Sequence, residues 1–281
     1  MEHGTPSSTA LVVAALRAAH QTHDDGRVFR DPYAEDMLGP EGAPLMMGLP
    51  IVPGYRMMRF FMAARSRYAD DALAEAVSRG CRQVVVLGAG LDTLGLRNPY
   101  RAIGLHVFEV DHPATQADKR RRLLRFGPRL PTSLSLVPAV FGESDIVAEL
   151  AAAGWRADKP TFFQMLGVVV YLPAATRQAL FAFIADLPAS EVVLDYTTPP
   201  ESQSPEGRTI TVAQMAEAAK VGEPWLGLIA PAALAREFAD LGLSDIEDLD
   251  IPRLRQRYLD ERPSEGAADF GLHVLHAQHQ A

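Results

Sequence analysis

The run Gln83-Val84-Val85-Val86-Leu87-Gly88-Ala89-Gly90-Leu91-Asp92-Thr93 decides the fold of this 281-residue chain. Gln83 to Leu87 is a short β-branched run with no polar alternation, the pattern of a strand buried on both faces of a parallel sheet. The glycines that follow make a tight strand-to-helix turn. Without a Cβ the backbone can approach a ligand closely, and the carboxyl ends of parallel strands form the crevice that receives it. A second strand fits His106 to Val110. Glu109 and Asp111 stand at its end, at the spacing of about 20 residues expected for an acid that takes ribose hydroxyls. The third glycine of a dinucleotide fingerprint is missing, because Thr93 occupies its place. Taken alone, these residues indicate a nucleoside-binding α/β fold. A glycine turn in a ligand-free α/β protein stays open beside it.

Outward from that turn, strands fit Leu134–Pro138, Thr161–Val170 and Glu191–Tyr196, with helices at Pro113–Phe126, Ser144–Ala153 and Ala174–Ala185. Alternation at these spacings predicts βα units around a doubly wound parallel sheet. Later helices fit Thr209–Lys220 and Pro231–Leu241. Two late strands, Ser244–Leu249 and Gly271–His276, are joined by a long loop. Before the turn, a helix fits Thr9–His20 behind the cap candidates Ser7, Ser8 and Thr9, and a short one begins at Asp31-Pro32. The Pro- and Gly-rich stretch Gly39–Gly54 reads as a mobile apolar loop. A long helix spans Arg56–Arg79 and stops at Gly80. The expected architecture is a helical cap, residues 1–80, over a sheet domain, residues 81–281.

Composition excludes several classes. Hydrophobic residues make up 48%, too many for a disordered chain. The formal net charge of −8 argues against a nucleic-acid or anionic-membrane partner. One cysteine excludes an internal disulfide and a cysteine-based zinc cluster. His273, His276 and His279 fall in a strand and tail with no nearby cysteine, so no metal site is expected. Lys119-Arg120-Arg121-Arg122 reads as the solvated face of a helix. The N-terminus lacks a signal-peptide pattern, and the longest apolar run, Phe162–Ala175, is too short to span a bilayer. A cytoplasmic protein acting on a small molecule is expected. The oligomeric state is not legible.

The stretches Val85–Thr93 and Val107–Pro113 closely resemble the leucine carboxyl methyltransferase family of class I S-adenosylmethionine (SAM) enzymes, in the bacterial branch that includes polyketide carboxyl O-methyltransferases. The resemblance also takes in Arg17–Gln21, Phe29–Pro32, Ala64–Arg67, Leu166–Val168 with Tyr171-Leu172, Asp195-Tyr196 and Gly222–Trp225. It implies a seven-stranded sheet with an antiparallel last strand and SAM at the ends of the first two strands. Arg65 looks like the family arginine that grips the SAM carboxylate. Gly88, Ala89 and Gly90 would pass under the methionine part, and Asp111, with Glu109 as its rival, would take the ribose.

The chain departs from this pattern at the adenine end. Val140, followed by Phe141, stands where the family places an acid for the adenine amine. An unpaired buried amine costs about 1–2 kcal/mol. Met165 takes a position commonly held by other residues in the family and is expected to pack against an adenine face. Leu94 replaces an arginine.

Methyl transfer to a carboxylate needs an orienting cation, whereas a phenol or alcohol needs a base. Arg17, His20 and Tyr171 are the candidates. The resemblance implies a SAM-dependent O-methyltransferase acting on a small-molecule carboxylate or hydroxyl group in bacterial secondary metabolism. A non-methylating cyclisation or rearrangement enzyme with an altered SAM site, and a non-enzymatic binding module, are the alternatives.

Overall fold

The strands are β1 (Gln83–Leu87), β2 (His106–Asp111), β3 (Leu134–Pro138), β4 (Thr161–Met165), β5 (Ser190–Thr197), β6 (Asp245–Asp250) and β7 (Leu272–Gln278). They form one seven-stranded sheet in the order β3-β2-β1-β4-β5-β7-β6. The computed structural model describes residues 7–49, 54–127, 131–262 and 268–279. Strands β1 to β5 pair in parallel, and β7 lies antiparallel between β5 and β6. The chain winds to one side of β1 through β2 and β3, then returns to β4 on the other side. That reversal leaves a crevice outside the carboxyl ends of β1 and β4.

The helices are α1 (Ser8–His23), α2 (Ala34–Leu38), α3 (Ala43–Gly48), α4 (Tyr55–Ser78), α5 (Leu94–Arg97), α6 (Pro113–Leu123), α7 (Ile146–Ala152), α8 (Ala174–Ala185), α9 (Pro205–Lys220), α10 (Pro231–Asp240) and α11 (Ile251–Leu259). Alternation along the strands feeds two cores. Val84 and Val86 face a core shared with α1, α2 and α4. Val85 and Leu87 face one shared with α7, α8 and α10. Full burial of each such side chain contributes about 1.5–3 kcal/mol. Helices α1, α2 and α4 thus supply one outer layer of the sheet, continuous with its core.

Three segments differ from the sequence reading. Gly39–Gly54 holds a 3-10 turn (Pro40–Gly42) and α3, while its residues 50–53 lie outside the described residues. β4 ends at Met165 because Gly167 turns the backbone to φ +75°, and Val169–Tyr171 is a 3-10 turn. The long loop before β7 contains α11, whose start Asp250 caps by accepting the Arg253 N–H, with proline in the first turn. Among the described residues, no helix is long and apolar enough to cross a membrane.

Candidate functional site

Beyond Leu87 the chain doubles back over the end of β2. The N–H groups of Gly88 and Ala89 both donate to Val110 O, at 2.8 and 3.1 Å. Gly88 and Gly90 take φ of +67° and +47°, a region that favours glycine. A Cβ at Gly88 would also land on the Val168 side chain. Asp111 closes the turn. Its Oδ2 accepts the Gly90 N–H at 2.5 Å and its Oδ1 accepts the His112 N–H at 2.6 Å. Burial pushes this carboxyl above its ordinary range, against the pull of those two N–H groups and the Lys119 charge. Each oxygen retains a lone pair for a further donor.

Glu109 occupies a different place. It sits two residues earlier in β2, 1% exposed, with Lys119 Nζ 2.6 Å away. Burial raises its carboxyl, opposed mainly by Lys119. This leaves Asp111 as the acid at the strand end. The same geometry corrects the reading of the basic run. Lys119 and Arg122 are buried, and only Arg120 and Arg121 are exposed. Residues three apart share a helix face, and this face looks inward. Arg122 Nη1 donates to the carbonyls of Met37 and Leu38, closing the end of α2.

Arg17, expected to orient an acceptor carboxylate, is buried and already engaged. Its Nη2 donates to Leu91 O at 2.5 Å, Nε lies 3.4 Å from Asp31 Oδ2, and Nη1 lies 3.6 Å from Asp92 Oδ2. Thr93 Oγ1 donates to the same Asp31 oxygen at 2.7 Å. The arginine therefore clamps the glycine turn to α1. Burial would raise the Asp92 carboxyl, but the positive charges of Arg17, Arg97 and Lys119 outweigh it and hold it low.

His20, offered as a base, has both ring nitrogens occupied. Nε2 accepts the N–H groups of Val28 and Phe29, each at 3.3 Å, so the proton sits on Nδ1, 2.8 Å from Asp24 Oδ2. Burial lowers its pKa against the Asp24 contact. His20 staples the turn after α1.

Arg65 lies where the carboxyl ends of β4 and β5 meet. Its Nη1 pairs with Asp195 Oδ2, while Asp195 Oδ1 accepts the Gly167 N–H. A Cβ at Gly167 would lie 3.4 Å from both terminal nitrogens of Arg65. The Arg65 Nε is buried without a hydrogen-bond partner among the described residues. Tyr171 is close by. Burial raises its phenol. Arg65, Tyr171, Gly88, Ala89, Gly90 and Asp111 thus gather at one end of the sheet, which Arg17 braces.

At the position where the resemblance implies adenine, the Val140 N–H donates to Ser144 Oγ at 2.9 Å and the side chain is half-buried. Phe141 packs against the α7/α8 core. Neither nearby acid substitutes for the missing one. Glu143 is exposed, and Asp145 caps α7 by accepting the Ala148 N–H. Met165 is fully buried in the α7/α8 core, because alternation along β4 turns it away from the α1 face; it is therefore packed inside the protein rather than presented to a ligand. Its neighbour Gln164 faces the other way, with Nε2 3.4 Å from Asp92 Oδ2. Gln164, Asp31 and Asp92 line this end of the sheet; the sequence reading had Asp31 as a helix start and Asp92 in the glycine turn, and gave none of the three a role in the site. Asp195 and Glu223 were quoted there without a role.

A doubly wound sheet of this order, with a glycine turn after β1 and an acid closing it from the end of β2, defines the class I methyltransferase type of fold. The sequence pattern of the leucine carboxyl methyltransferase family matches residues 10–185, and the chain belongs to that family. A protein of Mycobacteroides abscessus, provisionally named an S-adenosyl-L-methionine-dependent methyltransferase, is 36% identical over 196 residues. These are 67% of this chain and 63% of that relative, so the chain spans just under two thirds of its length. YktD of Bacillus subtilis, with the same provisional name, is 28% identical over 99% of both chains. A Thermobifida fusca crystal structure shares the fold at a TM-score of 0.62 and 16% identity, covering 100% of this chain and 97% of its own. A DUF574 protein from Streptomyces avermitilis does so at 0.58 and 16%, over 98% of both.

Family membership makes SAM the cofactor against which to test the site, and the residues fit it. Gly88 and Gly90 carry no side chain of their own, although Val168 and Ala10 lie against them, Asp111 keeps free lone pairs where the resemblance puts the ribose, and the unsatisfied Arg65 Nε suits a carboxylate.

Proposed function

We propose that this protein is a SAM-dependent O-methyltransferase acting on a hydroxyl group of a small, largely apolar molecule. The observation that carries the choice of a hydroxyl is the state of the cations. Arg17 pairs with Asp31 and Asp92, Arg65 with Asp195 and Lys119 with Glu109. With Arg65 given to the cofactor, Arg17 and Lys119 already face buried carboxylates, so an acceptor carboxylate would add negative charge that they do not balance, although the Arg17 Nε, like that of Arg65, has no hydrogen-bond partner among the described residues. A role in bacterial secondary metabolism accords with this substrate class and belongs to the same proposal.

SAM, when bound, supplies an electrophilic methyl group on a sulfonium. The protein's part is to hold the acceptor oxygen in line at about 3–3.5 Å and exclude water. Arg65 anchors the amino-acid end, with Asp195 fixing its direction. Gly88–Gly90 lets the backbone pass close beneath. Asp111 holds the ribose. Tyr171 faces the same end of the sheet and is the candidate to orient the acceptor hydroxyl. A phenol is protonated at neutral pH and burial raises Tyr171 further, so it donates a hydrogen bond to the acceptor oxygen and takes up no proton. The acceptor's own proton passes to solvent water as the O–CH3 bond forms and the S–CH3 bond breaks.

Calorimetry with SAM and S-adenosylhomocysteine (SAH) is the first test. Binding tighter than millimolar is expected, and its absence refutes the reading. Products that gain 14 Da from phenol or alcohol acceptors, and not from carboxylic acids, complete it; methyl esters would overturn the hydroxyl assignment. Val140 favours a second reading, a non-methylating enzyme on the same scaffold, which predicts turnover without that mass gain.

A further inference from the structure

We infer that Glu223 is a latch that holds the first turn of α1 down across the glycine turn, and so sets how fast the cofactor enters and leaves. This rests on the cofactor reading above. Helix α1 lies across the turn like a bar. At one point Arg17 grips the Leu91 carbonyl, buried between Asp31 and Asp92. Seven residues earlier, about 10 Å along the axis, Ala10 covers Gly90. A Cβ added to that glycine would lie 3.2 Å from the Ala10 Cβ.

One carboxylate from far along the chain ties the end of the bar. Glu223 accepts the Ser8 N–H at 3.0 Å, the Thr9 N–H at 3.3 Å, the Ser7 hydroxyl at 3.3 Å and the Thr9 hydroxyl. These contacts are additional to ordinary capping, because Ser7 Oγ already accepts the Ala10 N–H at 3.1 Å. The negative charge faces the positive end of the helix, where it is favoured.

Glu223 is itself anchored. The N–H groups of Leu226 and Gly227 donate to Val170 O at 2.8 and 2.9 Å, and a Cβ at Gly227 would run into Val169 O. The latch is thus fixed to the turn after β4, the same stretch that lays Val168 over Gly88 and carries Tyr171. Both glycines of the cradle are covered, and the Ala10 cover is tied chiefly by Glu223, with the Ser7 N–H donating to Thr115 Oγ1 at 3.3 Å as a lesser tie. A nucleoside-bearing ligand crossing Gly90 must lift that end, and the buried Arg17 end remains as the pivot.

Glu223 therefore acts as a positioning residue, and the diagnostic readout is exchange rate against equilibrium affinity. In stopped-flow chase experiments with SAH, Glu223→Gln should raise the dissociation rate about tenfold, as expected for losing charge-assisted hydrogen bonds. The calorimetric Kd should move less, because association quickens too. Thr9→Val should act in the same direction and more weakly, and the double variant should not exceed Glu223→Gln alone. Dissociation rates within twofold of wild type in both variants overturn the latch. Should Glu223→Gln fail to fold, Thr9→Val decides. Should wild type bind no SAH, the cofactor reading fails separately, and hydrogen exchange at residues 8–12 of the free protein still tests the latch. Faster exchange in Glu223→Gln supports it, and unchanged exchange refutes it.

Discussion

Arg65 is buried, yet its Nε has no partner among the described residues and its terminal nitrogen shares Asp195 with the Gly167 N–H. A guanidinium held this way is prepared for a bidentate carboxylate. Arg65→Ala should weaken SAH binding by about ten- to hundredfold in calorimetry, the range of a lost charged hydrogen bond. Arg65→Lys should not restore it, because an ammonium lacks the fork. At the other end of the cleft, Val140→Asp supplies an acceptor where the structure offers none, and should tighten SAH binding by up to about tenfold. Unchanged affinity would place the adenine elsewhere. Arg65 and Val140 were singled out only because the family resemblance marks their positions, whereas the glycine turn and the acid at the end of β2 carry a signal of their own in the sequence. The roles of Arg17 and His20 were not legible there. What a buried charge does depends on its partners, and Asp31, Asp92 and the backbone N–H groups of Val28 and Phe29 converge on them only in the folded chain.

Helix α6 shows the same lesson for an element. Its run of four basic residues reads as wet, yet the first and last of the four point inward, Lys119 to Glu109 and Arg122 to the end of α2. Removing one member of a buried pair strands the other. Lys119→Met should cost about 3–5 kcal/mol in denaturant unfolding. The double variant Glu109→Leu, Lys119→Met should recover most of that loss, whereas additive losses would show that the pair is not coupled. Helix α1 carries a pH-dependent contribution through His20. Burial holds its pKa below the ordinary 6.5 in the folded chain, while the unfolded chain protonates near 6.5. Above pH 6.5 the neutral imidazole makes its full contribution. As pH falls through 6.5 toward the folded-state pKa, the unfolded chain takes up the proton first and stability declines. Unfolding midpoints from pH 8 to pH 5 should fall below pH 6.5 in wild type, and by less in His20→Gln.

For the whole molecule, the sheet and its winding were legible from the alternation of strand and helix. The relation of the first 80 residues to the sheet was not, because amphipathic spacing shows that a helix has an apolar face and leaves open what covers it. Here α1, α2 and α4 complete the core beneath β1 and β2. Helix α11 hid for a similar reason: nine residues with two buried side chains give a weak signal.

The sheet order has a consequence for synthesis. Among the described residues β7 follows β6 in the chain, yet it sits between β5 and β6 in the sheet. On a ribosome β6 emerges with no neighbour to join, and β5 keeps a bare edge until β7 clears the exit tunnel. Pairings that close so late rank among the slow, aggregation-exposed steps. Stalled nascent chains that lack residues 272–278 should stay sensitive to protease at β5 and β6, and protection should arrive with the insertion of β7.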